Sequence, residues 1–105
     1  MKEFSQVYKI LKILRNCLDS DVLDASRLSP ESLGISLTRR NKLLKMLQNK
    51  GYITGLDIVQ FIGDSEPTVS GLENPEITLD GLQYLEGNSM MRKAAKLAKG
   101  IKDVI

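Results

Sequence analysis

Apolar residues recur at Phe4, Val7, Ile10, Leu11, Leu14, Cys17 and Leu18, a spacing that predicts an amphipathic helix with a broad buried face. Asp19-Ser20-Asp21 interrupts that pattern. The run Ser29-Pro30-Glu31-Ser32-Leu33-Gly34 then has the chemistry of a short second helix. Serine suits the N-cap, proline the first helical position and glycine the exit. Ser36 offers a further N-cap for a third helix from Leu37 to Lys50, with Leu37, Leu43, Leu44 and Leu47 on one face. Arg40 falls near the middle of that face and is expected to snorkel out from beneath the core. Gly51 is placed as a left-handed C-cap, with Tyr52 folding back on the last turn.

From Tyr52 to Phe61 the pattern changes. Ile53, Ile58, Val59 and Phe61 bring β-branched and aromatic enrichment with partial alternation, as expected of a strand. Gly63-Asp64-Ser65-Glu66-Pro67 is turn chemistry, and Thr68 to Leu72 returns as a second strand. Asn74-Pro75 closes the excursion. Thr78 caps a short helix through Leu79, Leu82 and Leu85, and Gly87-Asn88-Ser89 separates it from a last helix, Met90 to about Val104. This order predicts a mainly α chain with a small β-hairpin (α+β), a winged helix-turn-helix with an added C-terminal helix. The expected organisation is a single domain over 1–105. It has a helix-turn-helix at about 29–50, a wing at about 52–76 and C-terminal helices at about 78–104.

Composition narrows the chemistry. The 105 residues are 42% apolar and 27% charged, a globular balance. With one cysteine and no histidine, every Cys/His zinc pattern and every Ser-His or Cys-His nucleophile pair is excluded. Cys17 is expected to be a small buried hydrophobe. There is no glycine-rich phosphate loop or dinucleotide fingerprint, and Glu73 and Glu76 sit as loop charges on a turn-rich segment. The expectation is a protein without enzymatic activity, metal or cofactor. No apolar run approaches the roughly 20 residues of a membrane span, and Met1-Lys2-Glu3-Phe4 leads into a helical pattern with scattered lysines. A cytoplasmic location away from membranes follows as an expectation.

Charge is segregated along the chain. Residues 1–50 carry ten Lys/Arg against five Asp/Glu, and residues 89–105 carry five against one. Between them, residues 51–88 hold seven Asp/Glu and no cation. On the third helix, at about 100° per residue, Thr38, Asn41, Lys42, Lys45 and Asn49 point away from the leucines, with Arg39 on the flank. These side chains suit duplex DNA: Arg and Lys for guanine edges or phosphate, Asn41 for adenine. Thr38, Arg39, Asn41, Lys42 and Lys45 are therefore the candidate DNA contacts. The same residues would also form the solvated face of any amphipathic helix. The hairpin argues against DNA, because Asp57, Asp64, Glu66 and Glu73 would repel phosphate at contact range.

In the last helix, Met90, Ala94, Leu97, Ile101 and Val104 make an apolar seam at 4-3-4-3 spacing, with Arg92, Lys93, Lys96 and Lys99 opposite. The seam either docks on the domain's own core or pairs two copies into a homodimer. A membrane-surface role is disfavoured by its small alanines and its lack of Trp or Phe.

The run Ile77-Thr78-Leu79-Asp80-Gly81-Leu82-Gln83-Tyr84-Leu85-Glu86, followed by Asn88-Ser89 and Lys99-Gly100-Ile101-Lys102-Asp103, resembles the C-terminal signature of the YjcQ-like family. Leu33-Gly34-Ile35-Ser36 and Gly51-Tyr52-Ile53 are similar to that family at corresponding places. The resemblance spans Phe4 to Ile105, with the hairpin from Asp57 to Glu73 contributing little. It implies a small winged-helix protein of the kind common in prophages and mobile elements of Gram-positive bacteria; it implies no particular biochemistry. Two functions follow from the residues. One is a DNA-binding transcriptional regulator, working alone or as a homodimer. The other is a protein-interaction module that uses its acidic wing or its last helix. RNA binding is disfavoured, since five aromatics, none among the lysines, make no stacking platform.

Overall fold

Serine caps and left-handed glycines set the boundaries of the helix pair at the centre of the molecule. In the computed structural model, which describes residues 2–19 and 24–87, Ser29 caps α2 (Pro30–Leu33) and Gly34, at φ 70°, ends it. Ser36 caps α3 (Leu37–Asn49), its hydroxyl accepting from the Arg39 amide. Gly51, at φ 82°, ends α3 in a Schellman motif: the Tyr52 amide reaches Leu47 O and the Gly51 amide reaches Gln48 O, both at 3.0 Å. These limits match the sequence pattern. The pattern missed a 3-10 turn over Ala25–Leu28, which Asp24 caps by accepting from the Ser26 amide.

Helix α1 spans Lys2–Asn16 and places Ile10, Leu11 and Leu14 in the core. It ends two residues earlier than the apolar pattern implied. Leu18 is therefore exposed in the following turn, and Cys17 is half-buried there instead of lying within the helix. Phe4 and Leu37 are also exposed, although the periodicity assigned both to buried faces. Each sits in the first turn of its helix, where a side chain leans toward the N-terminus and past the neighbouring element. Leu28, Leu33, Leu43, Leu44 and Leu47 complete the helical core, with Ile53, Leu56, Ile77 and Leu85 closing it from the C-terminal side.

The single strand expected over Tyr52 to Phe61 is two strands. β1 (Ile53–Thr54) and β2 (Asp57–Val59) are separated by Gly55, at φ 96°, and the buried Leu56. The chain must turn there, because a Cβ on Gly55 would stand 2.7 Å from the Asn74 carbonyl oxygen. β2 pairs antiparallel with β3 (Thr68–Ser70), with Ile58 opposite Val69, and this hairpin is the wing. Asn74-Pro75 does not close the excursion. A further strand, β4 (Glu76–Ile77), returns to pair with β1, with Ile53 opposite Ile77. This small ladder anchors the base of the wing in the core, since Ile53 and Ile77 are both buried.

Thr78 then caps helix α4, which covers residues 79–87. Its hydroxyl accepts from the Gly81 amide and donates to the Gly51 carbonyl, tying the start of α4 to the end of α3. The fold is α+β: a helix-turn-helix followed at once by an antiparallel hairpin, the winged-helix arrangement. The last helix expected from Met90 to about Val104, with its seam of Met90, Ala94, Leu97, Ile101 and Val104, lies outside the described residues. No helix among the described residues is long and apolar enough to cross a membrane.

Gly81 supplies a test of this packing. A Cβ there would stand 2.2 Å from Tyr52 O and 2.7 Å from Ile77 Cγ1. Alanine is favoured over glycine inside a helix by about 1 kcal/mol. Overpacking costs about 1–3 kcal/mol, and here the obstacle is backbone, so the clash wins. Gly81→Ala is expected to lower the urea midpoint at unchanged slope. An unchanged or raised midpoint would show that α4 does not rest on Tyr52.

Candidate nucleic-acid interface

Helix α3 is covered on two sides, and this decides which of its polar residues are open. Leu43, Leu44 and Leu47 face the core. A second stripe, Thr38, Asn41, Lys45 and Gln48, faces the wing and holds it. The Gln48 amide makes a two-point clasp on Leu56: its Nε2 donates to Leu56 O at 3.0 Å and its Oε1 accepts from Leu56 N at 2.9 Å. Asn41 Nδ2 donates to Pro67 O at 3.3 Å, Lys45 Nζ donates to Gln60 Oε1 at 2.8 Å, and the Thr38 hydroxyl donates to the Glu66 carboxylate. These contacts run along the helix from its first turn to its last.

The five candidate DNA contacts therefore divide. Asn41 is corrected: it is 6% exposed and lies beneath the wing, not on the outward face. Counting positions from a single leucine face could not reveal that the neighbouring face is also covered. Thr38 and Lys45 are engaged at the margin of the wing. Arg39 and Lys42 are exposed, and with Met46 and Asn49 they form an open stripe at i, i+3, i+7 and i+10. Met46 is 57% exposed on that stripe.

Arg40 is also corrected, for it does not snorkel to solvent. It is 7% exposed, with Nε and Nη2 donating to Asn41 Oδ1 at 3.1 and 2.9 Å and Nη1 pointing to Leu28 O at 3.4 Å. Burial lowers the pKa of the guanidinium, and the charge of Glu31 opposes that shift. An arginine stays cationic nonetheless, so it keeps its donors. Arg40 links the 3-10 turn to Asn41, and Asn41 passes the connection on to the wing. The cation is thus a structural tie between three segments.

The acidic wing is not uniform either. Glu66 is half-buried against the first turn of α3. A carboxylate is well placed there, since the helix dipole favours negative charge at an N-terminus. Asp64 shapes the wing tip, its Oδ2 accepting from the Phe61 amide at 2.9 Å while its carbonyl accepts from Gln60 Nε2 at 3.1 Å. Asp57 and Glu73 are exposed. The tip itself carries two large apolar side chains in solvent, Phe61 at 72% and Ile62 fully exposed. The pairing of Thr38, Asn41, Lys45 and Gln48 had a sequence signal, a polar stripe at 3-4-3 spacing. Phe61 and Ile62 had another, adjacent apolar residues beside turn chemistry.

Fold and site define a winged-helix protein whose helix α3 presents a cationic stripe beside an anionic wing. The chain belongs to the YjcQ family: the family described as YjcQ protein matches residues 8–104. No curated protein and no solved structure matches the chain.

The buried role of Asn41 can be separated from a DNA-contacting one. Asn41→Ala would strand the Arg40 guanidinium and the Pro67 carbonyl inside the protein. An unsatisfied buried group costs about 1–3 kcal/mol, more when charged. The expected result is a lower urea midpoint with a native-like helical circular dichroism signal. Unchanged stability would return Asn41 to the outward face.

Proposed function

We propose that this protein is a non-enzymatic DNA-binding regulator that reads duplex DNA with α3. The observation that carries this reading is the exposed pair Arg39 and Lys42 on the open side of the second helix of a helix-turn-helix. The N-terminal part of such a helix meets base edges, and both residues lie in its first two turns. Arg39 suits bidentate contact with guanine, and Lys42 suits guanine or phosphate. Thr38 and Lys45 contribute from the margin, where their present partners Glu66 and Gln60 compete for them. A setting in a prophage or another mobile element is what the family resemblance implies.

The position of Glu66 sharpens the proposal. Its carboxylate occupies the first turn of α3, where an incoming phosphate would be held by the helix N-terminus. The wing thus acts as a screen that lowers non-specific affinity. Anisotropy titrations of a labelled mixed-sequence duplex at about 50 and 200 mM salt test both ideas. Arg39→Glu/Lys42→Glu is expected to abolish binding, and Glu66→Gln to tighten it several-fold. If the wild type fails to bind even at low salt, general duplex binding by α3 is lost.

A second reading has its own observation. Phe61 and Ile62 stand exposed at the wing tip beside Asp64, a form that suits a protein partner with an apolar pocket and a cationic rim. In this reading the winged helix is an interaction module. Phe61→Ser/Ile62→Ser is expected to leave duplex affinity unchanged while abolishing capture of the partner that co-purifies with the wild type. Retention of that partner by the variant would exclude the wing tip as its site.

A further inference from the structure

On the side of α3 away from the wing, the surface opens into an apolar groove of about 410 Å³. It is lined by Phe4 and Val7 of α1, by Met46 of α3 and its C-cap Lys50, and by Tyr52 and Tyr84. The two tyrosine rings pack together with centroids 5.0 Å apart. Among the described residues Lys50 is the sole charged one in the lining, and Phe4 and Met46 are more than half exposed. So much open apolar surface calls for a cover.

We propose that the cover is this chain's own C-terminal segment, residues 90–104, laid into the groove along its apolar seam. Three observations favour that occupant. Tyr84 belongs to the groove and lies only six residues before Met90, so the segment begins within about 20 Å of the groove wall even when fully extended. A tether that short gives an effective concentration of order millimolar, which an intermolecular partner at cellular concentration does not match. The seam of Met90, Ala94, Leu97, Ile101 and Val104 carries no charge, as an apolar groove requires, and its alanine allows close approach. Isolated helices of about 12–15 residues are marginal in water, so an apolar seam of this length gains from a surface to pack against.

Docking of this kind also bears on DNA. It would carry Arg92, Lys93, Lys96 and Lys99 on the same side of the domain as Met46 and Lys50, flanking α3 with the cations that the wing lacks. That consequence rests on the proposed DNA-binding role; the docking itself does not.

The test is paramagnetic broadening in the full chain without DNA. A nitroxide is attached at Lys99→Cys in a Cys17→Ser background, and the methyl signals of Val7, Met46 and Leu47 are followed. These are expected to lose most of their intensity, while the wing methyls of Ile58 and Val69 keep theirs. Adding Leu97→Asp/Ile101→Asp, with folding checked by circular dichroism, is expected to restore the groove signals. Undiminished groove methyls in the first sample would overturn the proposal. A mixed sample, nitroxide-bearing unlabelled chains with isotope-labelled chains lacking the nitroxide, covers the remaining case. Broadening that crosses between molecules there would assign the groove to a second copy and overturn the proposal as well. None of these outcomes depends on duplex affinity, so failure of the docking and failure of the DNA reading are distinguishable.

Discussion

The clasp between Gln48 and the backbone of Leu56 is the contact on which the geometry of the interface depends. Two hydrogen bonds from one side chain to both polar groups of one residue fix the position and the direction in which the chain leaves the core. Leu56 is buried, so its amide and carbonyl could not have been left to water. Gln48 satisfies both. Because β2 begins at the next residue, the path of the wing alongside α3 is set at this point. Asn41 repeats the device two turns earlier with Pro67 on the returning arm. Two amides on one helix stripe thus pin both arms of the hairpin, each at a cost in conformational freedom that net hydrogen bonds of about 1 kcal/mol must offset.

Arg40 extends the same logic in the opposite direction. A buried guanidinium is unfavourable unless its donors are used, and it uses them on Asn41 and, more weakly, on Leu28 O. The result is a polar chain from the 3-10 turn through α3 to the wing, running beside the leucine core without interrupting it. Such a connection transmits position. The orientation of α2 relative to α3, set by their capped ends, and the orientation of the wing are parts of one arrangement. A winged-helix protein that presents α3 to a partner needs this, because the wing must hold the same angle to the helix whenever they meet a surface together.

Local chemistry was the part of this arrangement that the sequence made legible. Ser29, Gly34, Ser36 and Gly51 each act through their own backbone and side chain, so their roles could be assigned before any tertiary contact was known. The same holds for Thr78 at the start of α4. What the sequence hid depends on which elements meet. A helix covered on one side and a helix covered on two sides have the same leucine periodicity, so Asn41 looked open and Arg40 looked like a snorkelling cation. The break at Gly55 was hidden for a related reason. Its cause is the Asn74 carbonyl, nineteen residues away in the chain, and no local pattern announces it. Leu37 and Phe4 failed differently: both fit the periodicity, but a first-turn position overrides the phase of the helix.

The segregation of charge takes on a geometric meaning once Glu66 is placed. Acidic residues in the middle of a basic chain could have lain far from the basic face, in which case they would be screened within roughly a Debye length of 8–10 Å and matter little. Instead the Glu66 carboxylate is hydrogen-bonded to the first turn of α3, one residue from Arg39. At that range screening by salt is weak, and the anion lowers the potential that any phosphate would feel on arriving at the helix. If the partner is duplex DNA, as proposed, long-range attraction from the cations of residues 1–50 and 89–105 would be combined with short-range discouragement at the N-terminus of α3. Under the proposed DNA-binding role, only a duplex that makes good the loss, through base-edge contacts to Arg39 and Lys42 or by drawing Thr38 away from Glu66, would gain from full engagement. For a small domain with few contact residues, this is a physical route to selectivity: weaken the contact that every sequence offers, and leave intact the contacts that only some sequences can make.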